Sequence, residues 1–182
     1  MTAITVIGLG NVLTGDDAFG PYALNTLAAQ YDEPDGVSFC DLGTPGLDLV
    51  PHIAGADALI VLDTVKMKAP AGTVRCYRKE DLVARGPTPR TNPHQPTLAD
   101  TLLLLELQGL APSEILLVGV APERYDTGAP LSAAVRAAVA PAIALAIAEL
   151  ERLGATMHLR DEAAPADIWW EAVASTRAAA AG

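Results

Sequence analysis

Cysteine, histidine and aromatic side chains are scarce in this chain, and basic side chains are outnumbered by acidic ones. Only two cysteines, Cys40 and Cys76, occur in 182 residues. Both stand in apolar, β-like segments without metal-ligand spacing, so they are expected to be buried free thiols. Twelve Lys and Arg against 22 Asp and Glu give a formal net charge of -10. A nucleic-acid binder needs a basic face to displace counterions from phosphates, and that class is excluded. No apolar run approaches the roughly 20 residues that cross a bilayer, so no membrane association is expected. The start, MTAITVIG, has no basic region and enters a strand at once. It does not read as a signal peptide, and the expected compartment is the cytoplasm. The hydrophobic share, 51%, suits one well-cored domain over 1–154.

The chain is organised around Ile4 to Gly20, ITVIGLGNVLTGDDAFG. Ile4 to Ile7 reads as a buried parallel strand, and Gly8 and Gly10 allow a sharp turn after it. A strand, a glycine loop and a helix suggest a nucleotide site, but two residues are missing. The dinucleotide fingerprint needs glycine where Leu13 stands, and the phosphate loop needs lysine where Asp16 follows Gly15. Asp16 and Asp17 would also repel a pyrophosphate by ~1 to 4 kcal/mol per close pair of charges. A loop of this kind suits a cation.

Further along, a helical period covers Pro21 to Gln30, and Val37 to Leu42 reads as a second strand. Leu47 to Ile53 fits a short helix. Ala58 to Thr64 is the most apolar strand and is expected at the centre of the sheet, whereas Gly72 to Tyr77 has the alternation of an edge strand, plausibly antiparallel. Thr88 to Pro96 is too rich in proline for regular structure. A helix over Leu98 to Leu107, capped by Thr97, then a strand over Glu114 to Val120, precede a long Ala-rich helix from Leu131 to Leu153 that Pro141 interrupts or kinks. Strands alternating with helices at this spacing predict an α/β fold, a doubly wound parallel sheet covered on both faces. The tail, 155–182, carries Trp169 and Trp170. It is expected to be partly disordered, with a short helix over 167–174 that packs on the domain or frays; a tryptophan docking patch is the other reading.

Asn11 with Asp16 and Asp17, then Asp41, Asp63 and the loop holding His94 all fall where strands of such a sheet should end. Ligands of open α/β sheets bind there. Asp63 closes a run of apolar residues, and a carboxylate in that position needs a partner or a cation. Asp17, Asp63 and His94 would offer two oxygens and a nitrogen with positions left open, a set suited to a divalent ion such as Ni, Zn, Co or Mn. From spacing alone, Asp17 is equally readable as a helix N-terminal charge, Asp63 as a loop cap and His94 as an exposed histidine. His52 and His158 are given no role.

GLGNVLTGDDAFG, DLGTPGLDLV, LDTV and NPHQPTLAD, in that order, resemble the hydrogenase maturation proteases over about Ile4 to Ala148. The resemblance implies a three-layer α/β/α fold around a twisted, mainly parallel sheet of about five strands. It implies an endopeptidase that removes a C-terminal extension from a nickel–iron hydrogenase large-subunit precursor once nickel is in place. Asp17, Asp63 and His94 match the metal-contacting positions and are the expected catalytic residues. The nickel would come with the substrate, with no tightly bound metal in the free enzyme. Asn11, Asp16, Asp41, Gly43, Thr44 and Gln95 are expected to meet the substrate, and the enzyme is expected to be a monomer. Asp17 stands where glutamate is also found, and Pro96-Thr97 replaces a more glycine-containing turn. No Ser-His-Asp order fits the strand ends, so hydrolysis by water is the simplest chemistry. A nickel-sensing checkpoint or chaperone that binds the precursor without cutting it is the alternative. A nucleotide-binding protein is nearly excluded by Leu13 and Asp16.

Overall fold

The computed structural model describes residues 2–45, 49–83 and 98–173. Among these residues five strands are present: β1 (Ile4–Leu9), β2 (Val37–Gly43), β3 (Ala58–Thr64), β4 (Val74–Arg78) and β5 (Glu114–Val120). They form one sheet in the order β2-β1-β3-β5-β4. All neighbours are parallel except β4, which runs antiparallel to β5 at the edge. The most apolar strand, β3, is buried throughout and lies at the centre. Its neighbours cover its hydrogen-bonding edges and helices cover both its faces, which is why it reads as a continuous apolar run.

The helices are α1 (Phe19–Gln30), α2 (Val50–Ile53), α3 (Lys79–Val83), α4 (Leu98–Gln108) and α5 (Ala133–Arg152). Phe19, Leu24 and Leu27 of α1, with Val135, Ala142 and Leu150 of α5, pack on Val6, Ile60, Leu62 and Val118. On the other face Ile53, Leu82, Leu98, Leu102 and Leu105 pack on Ile7, Leu9, Leu59, Val61 and Leu117. Alternate residues of each strand thus feed two cores, giving three layers.

Two expectations change. First, the cysteines are not both buried: Cys40 is half-buried and Cys76 exposed. Cys76 sits on the edge strand, where Arg75, Cys76 and Arg78 all reach solvent. Second, α5 is long and apolar enough to cross a membrane by length and composition. Its Val135, Ala138, Val139, Ala142, Ile143, Ala146 and Leu150 are instead built into the core. Pro141 does not break it, for the helix runs on to Arg152 with Pro141 on its exposed side. There the unpaired backbone groups meet water.

Glu149, near the end of α5, ties the helix to the sheet. It pairs with Arg78 of β4 and accepts from Arg152 at 2.8 and 3.0 Å. Arg152 also reaches Glu114 at 2.7 Å. Hydrogen bonds from Arg152 and Arg78 outweigh burial and hold the Glu149 carboxyl down to about 2, below its usual 4.5. A lowered folded-state value means stability that is complete above the unfolded value and lost as pH falls through the folded one. The two guanidinium groups are nearly half exposed, at 44% and 46%, so screening reduces the contribution to roughly 2 kcal/mol. Glu149→Gln is therefore expected to be about 2 kcal/mol less stable than wild type at pH 7. In urea denaturation the gap should close between about pH 4.5 and pH 2.

The segment after α5 folds back over the domain. Leu159 bridges Tyr31, Asp32 N–H donates to His158 O at 2.9 Å and Arg160 N–H to Gln30 O at 2.9 Å. Residues 169–173 are helical. Trp170 is buried in the α1–α5 core while Trp169 is exposed. Within the described residues the tail packs on the domain.

Candidate active site

β1 ends at Leu9, and Gly10 turns the chain at φ 137°. A Cβ there would stand 1.8 Å from Asp17 O, so the loop must close on itself without a side chain. Residues Gly15–Ala18 then form one 3-10 turn that leads into α1. Asp16 and Asp17 lie on this turn and both are buried. Asp17 accepts from Asn11 N–H at 2.9 Å through Oδ2 and from the Thr64 hydroxyl at 3.3 Å through Oδ1. Thr64 is the last residue of β3, directly after Asp63. The ends of β1 and β3 are thereby linked through Asp17.

Asp63 is 1% exposed, and among the described residues neither of its carboxyl oxygens has a hydrogen-bond partner of good geometry. Burial raises its pKa well above the carboxylate range, and the charge of Asp17 raises it further; the Thr64 amide acts weakly the other way. Two buried acidic groups side by side, one of them with no donor among the described residues, are an unfavourable arrangement unless something positive is brought to them. A divalent cation meets that requirement. Among the described residues no three His, Cys, Asp or Glu side chains gather into a metal site. His94 and Gln95, expected beside the carboxylates, lie outside the described residues, in the chain between α3 and α4.

Asp16 takes a different place from the substrate contact expected of it. It is 0% exposed and turned toward the start of α5. Its Oδ2 accepts from Glu123 N–H at 2.8 Å, Arg124 N–H at 3.0 Å and the Ser132 hydroxyl at 3.0 Å. Its Oδ1 accepts from Ser132 N–H at 2.7 Å. Ser132 in turn caps α5 through Val135 N–H at 3.3 Å. Asn11 is exposed, and its side chain accepts from Leu13 N–H at 3.0 Å, which shapes the turn.

The second loop adjoins the first. Gly10 N–H donates to Gly43 O at 2.8 Å, and Gly43 has a φ of 55°. Asp41 is exposed and accepts from Asn25 Nδ2 at 2.8 Å and Gly43 N–H at 3.2 Å. Thr44 is exposed beside it. These groups therefore border the ends of β1 and β2. Sequence reasoning missed Thr64 and Ser132, since a lone hydroxyl residue at an element boundary carries no distinguishing signal.

Neither thiol is activated as a nucleophile by its surroundings. Burial raises the pKa of both Cys40 and Cys76, which lowers the thiolate fraction. Each belongs to a strand rather than to the strand-end loops.

Comparison with known proteins bears on the family of the chain. A family model described as hydrogenase maturation protease matches residues 21–149. The hydrogenase expression/formation protein HupM of Azotobacter chroococcum mcd 1 is 38% identical over 170 residues, covering 91% of this chain and 81% of that protein. The hydrogenase 2 maturation protease of Escherichia coli (strain K12) is 37% identical over 152 residues, covering 83% and 92% respectively. Among solved structures, the hydrogenase maturating endopeptidase HybD from Escherichia coli matches with a TM-score of 0.80 at 35% identity, over 88% of this chain and 98% of that one.

Proposed function

The chain belongs to the hydrogenase maturation protease family, and from that premise we propose that it removes the C-terminal extension of a nickel–iron hydrogenase large-subunit precursor after nickel has been inserted. It is a hydrolase, an endopeptidase, as its relatives are. The observation that carries the finer reading is Asp63: a fully buried carboxyl with no donor among the described residues, beside a second carboxylate, at the end of the central strand.

In this reading the nickel belongs to the substrate. Asp17 and Asp63 approach it with oxygens and His94 with an imidazole nitrogen, and the ion leaves with the product. The free enzyme is then a cytoplasmic monomer that holds no metal tightly. When present, the ion polarises the scissile carbonyl and favours loss of a proton from water. Asp17 is aimed by Asn11 N–H and the Thr64 hydroxyl, so its carboxylate has a fixed direction. Asp17 or Asp63 takes the proton of the attacking water at a carboxylate oxygen and returns it to the departing amine. Water supplies the hydroxyl of the new C-terminus and the carboxylate only carries the proton. Asp41, Gly43 and Thr44, with Asn11 and Gln95, flank the approaching peptide.

Intact mass of a co-expressed large-subunit precursor, with and without nickel, tests this. Wild type should release a C-terminal peptide only when nickel is present, and His94→Ala should release none. Cleavage regardless of nickel would remove the sensing role. Failure on a cognate, nickel-loaded precursor would remove the proposed substrate.

A further inference from the structure

The two adjacent aspartates of the first loop are held by different parts of the molecule. Successive residues of a 3-10 turn point about 120° apart. Over Gly15–Ala18 this sends Asp17 toward the end of β3 and Asp16 toward the start of α5. Asp16 has four donors on its two oxygens and no exposed surface. Around it the loop after β1 is joined to the loop after β5. Asp16 N–H donates to Arg124 O at 3.1 Å, Gly128 N–H to Leu13 O at 2.8 Å, and Thr14 bridges Thr127. The C-terminal segment reaches the same joint. Glu171 accepts from Leu131 N–H at 3.2 Å, one residue before Ser132, and pairs with Arg136 of α5 at 2.5 Å.

We propose that Asp16 is the positioning residue for Asp17, and that the C-terminal segment keeps this joint closed through Glu171. The ring of donors around Asp16 fixes where the 3-10 turn stands against the sheet, and that fixes the direction in which the next side chain leaves. Asp17 is then presented beside Asp63 before any substrate arrives, so orientation is built into the free enzyme. Glu171 acts on the joint through Leu131 and Ser132. The kinetic part of this inference rests on the peptidase reading above.

Asp16→Asn keeps the volume and removes the acceptor match. Whichever way the amide turns, its NH2 faces the N–H of Glu123 and Arg124 or that of Ser132. The test compares Asp16→Asn, Ser132→Ala, Ser132→Thr and Glu171→Gln with Glu149→Gln, a destabilised control whose change lies at the far end of α5. Three quantities are measured: single-turnover cleavage of nickel-loaded precursor, precursor Kd, and backbone amide exchange over 11–18. Asp16→Asn is expected to cut at least about tenfold more slowly, since a misplacement of 1 Å can cost ~10²-fold. Its Kd should stay within about twofold of wild type, placing the loss in turnover rather than binding. Exchange over 11–18 should rise. Ser132→Ala and Glu171→Gln should change in the same direction by less, Ser132→Thr should keep the wild-type rate, and Glu149→Gln should cut normally. Cleavage and exchange in Asp16→Asn no different from the control would overturn the proposal, as would a loss confined to binding. If Asp16→Asn does not fold, Ser132→Ala and Glu171→Gln decide on the same readouts. If wild type leaves the precursor intact, the peptidase reading falls and amide exchange alone decides the positioning role: a rise over 11–18 absent from the control upholds it, and no rise overturns it.

Discussion

Asp63→Asn is expected to yield a protein at least as stable as wild type that cuts its precursor at least ~10²-fold more slowly. The two halves of this expectation share one cause. The Asp63 carboxyl is buried, lies beside Asp17 and has no hydrogen-bond partner of good geometry among the described residues. Removing the carboxylate therefore removes a group that folding does not favour. The amide that replaces it is still a buried polar group, but it carries no charge to desolvate, and a gain of about 1 kcal/mol is expected. Chemistry suffers because an amide neither takes a proton from water nor offers an anionic oxygen to a cation. Urea denaturation of the metal-free protein and single-turnover cleavage measure the two halves separately. Unchanged cleavage would remove Asp63 from the reaction. A clear loss of stability would show that its carboxylate has a partner in solution.

Gly20→Ala is expected to destabilise the fold by about 3 kcal/mol or more, the upper end of what overpacking costs. A Cβ at this position would stand 2.2 Å from Leu9 O and 2.4 Å from Leu62 O. Both are backbone atoms of central strands, so no flexible side chain can give way. The contact is reciprocal, since a Cβ on Gly8 would meet Gly20 O at 2.6 Å. Helix α1 thus lies against β1 and β3 at glycine spacing, and pushing it away displaces Asp17 relative to Asp63. Activity should fall together with stability. Gly109→Ala provides the contrast: a φ of 69° and open space around the position leave only backbone strain, about 1 kcal/mol. A similar midpoint shift for both variants in urea would contradict the close packing at Gly20.

Why some of this was legible in sequence and some was not follows from range. β3 was readable because burial on both faces leaves an unbroken apolar run, and its central place follows from the same burial. β4 was readable as an edge from its alternation, although Cys76 then followed the exposed edge and not the usual preference of its residue type. The strand-end rule pointed to Asp17 and Asp63; Asp63 is one residue from the end of β3, whereas Asp17 lies on the 3-10 turn and reaches the strand ends through Asn11 and Thr64. Asp16 and Asp17 are identical in type and adjacent in sequence, and only the 3-10 turn separates what they touch. No local pattern encodes that, because the partners of Asp16 lie more than a hundred residues away. The five-residue α3 had no helical period long enough to detect. Pro141 suggested an interruption, but the tertiary packing of α5 overrides a single unfavourable residue.

The returning C-terminal segment also determines what each end of the chain can carry. It passes the end of α1 at Tyr31, on the side of the sheet where β1 begins, and arrives at Leu131, on the side where Asp16 and Asp17 stand. α1 alone spans about 18 Å between those sides. A fluorophore at the exposed Ala3, just before β1, therefore sits at the pole remote from Asp16 and Asp17. A label close to Glu171 stands instead on the side of Asp16 and Asp17. The two stretches are thus unequal places for a reporter, and the one that precedes β1 is the neutral choice for labelling.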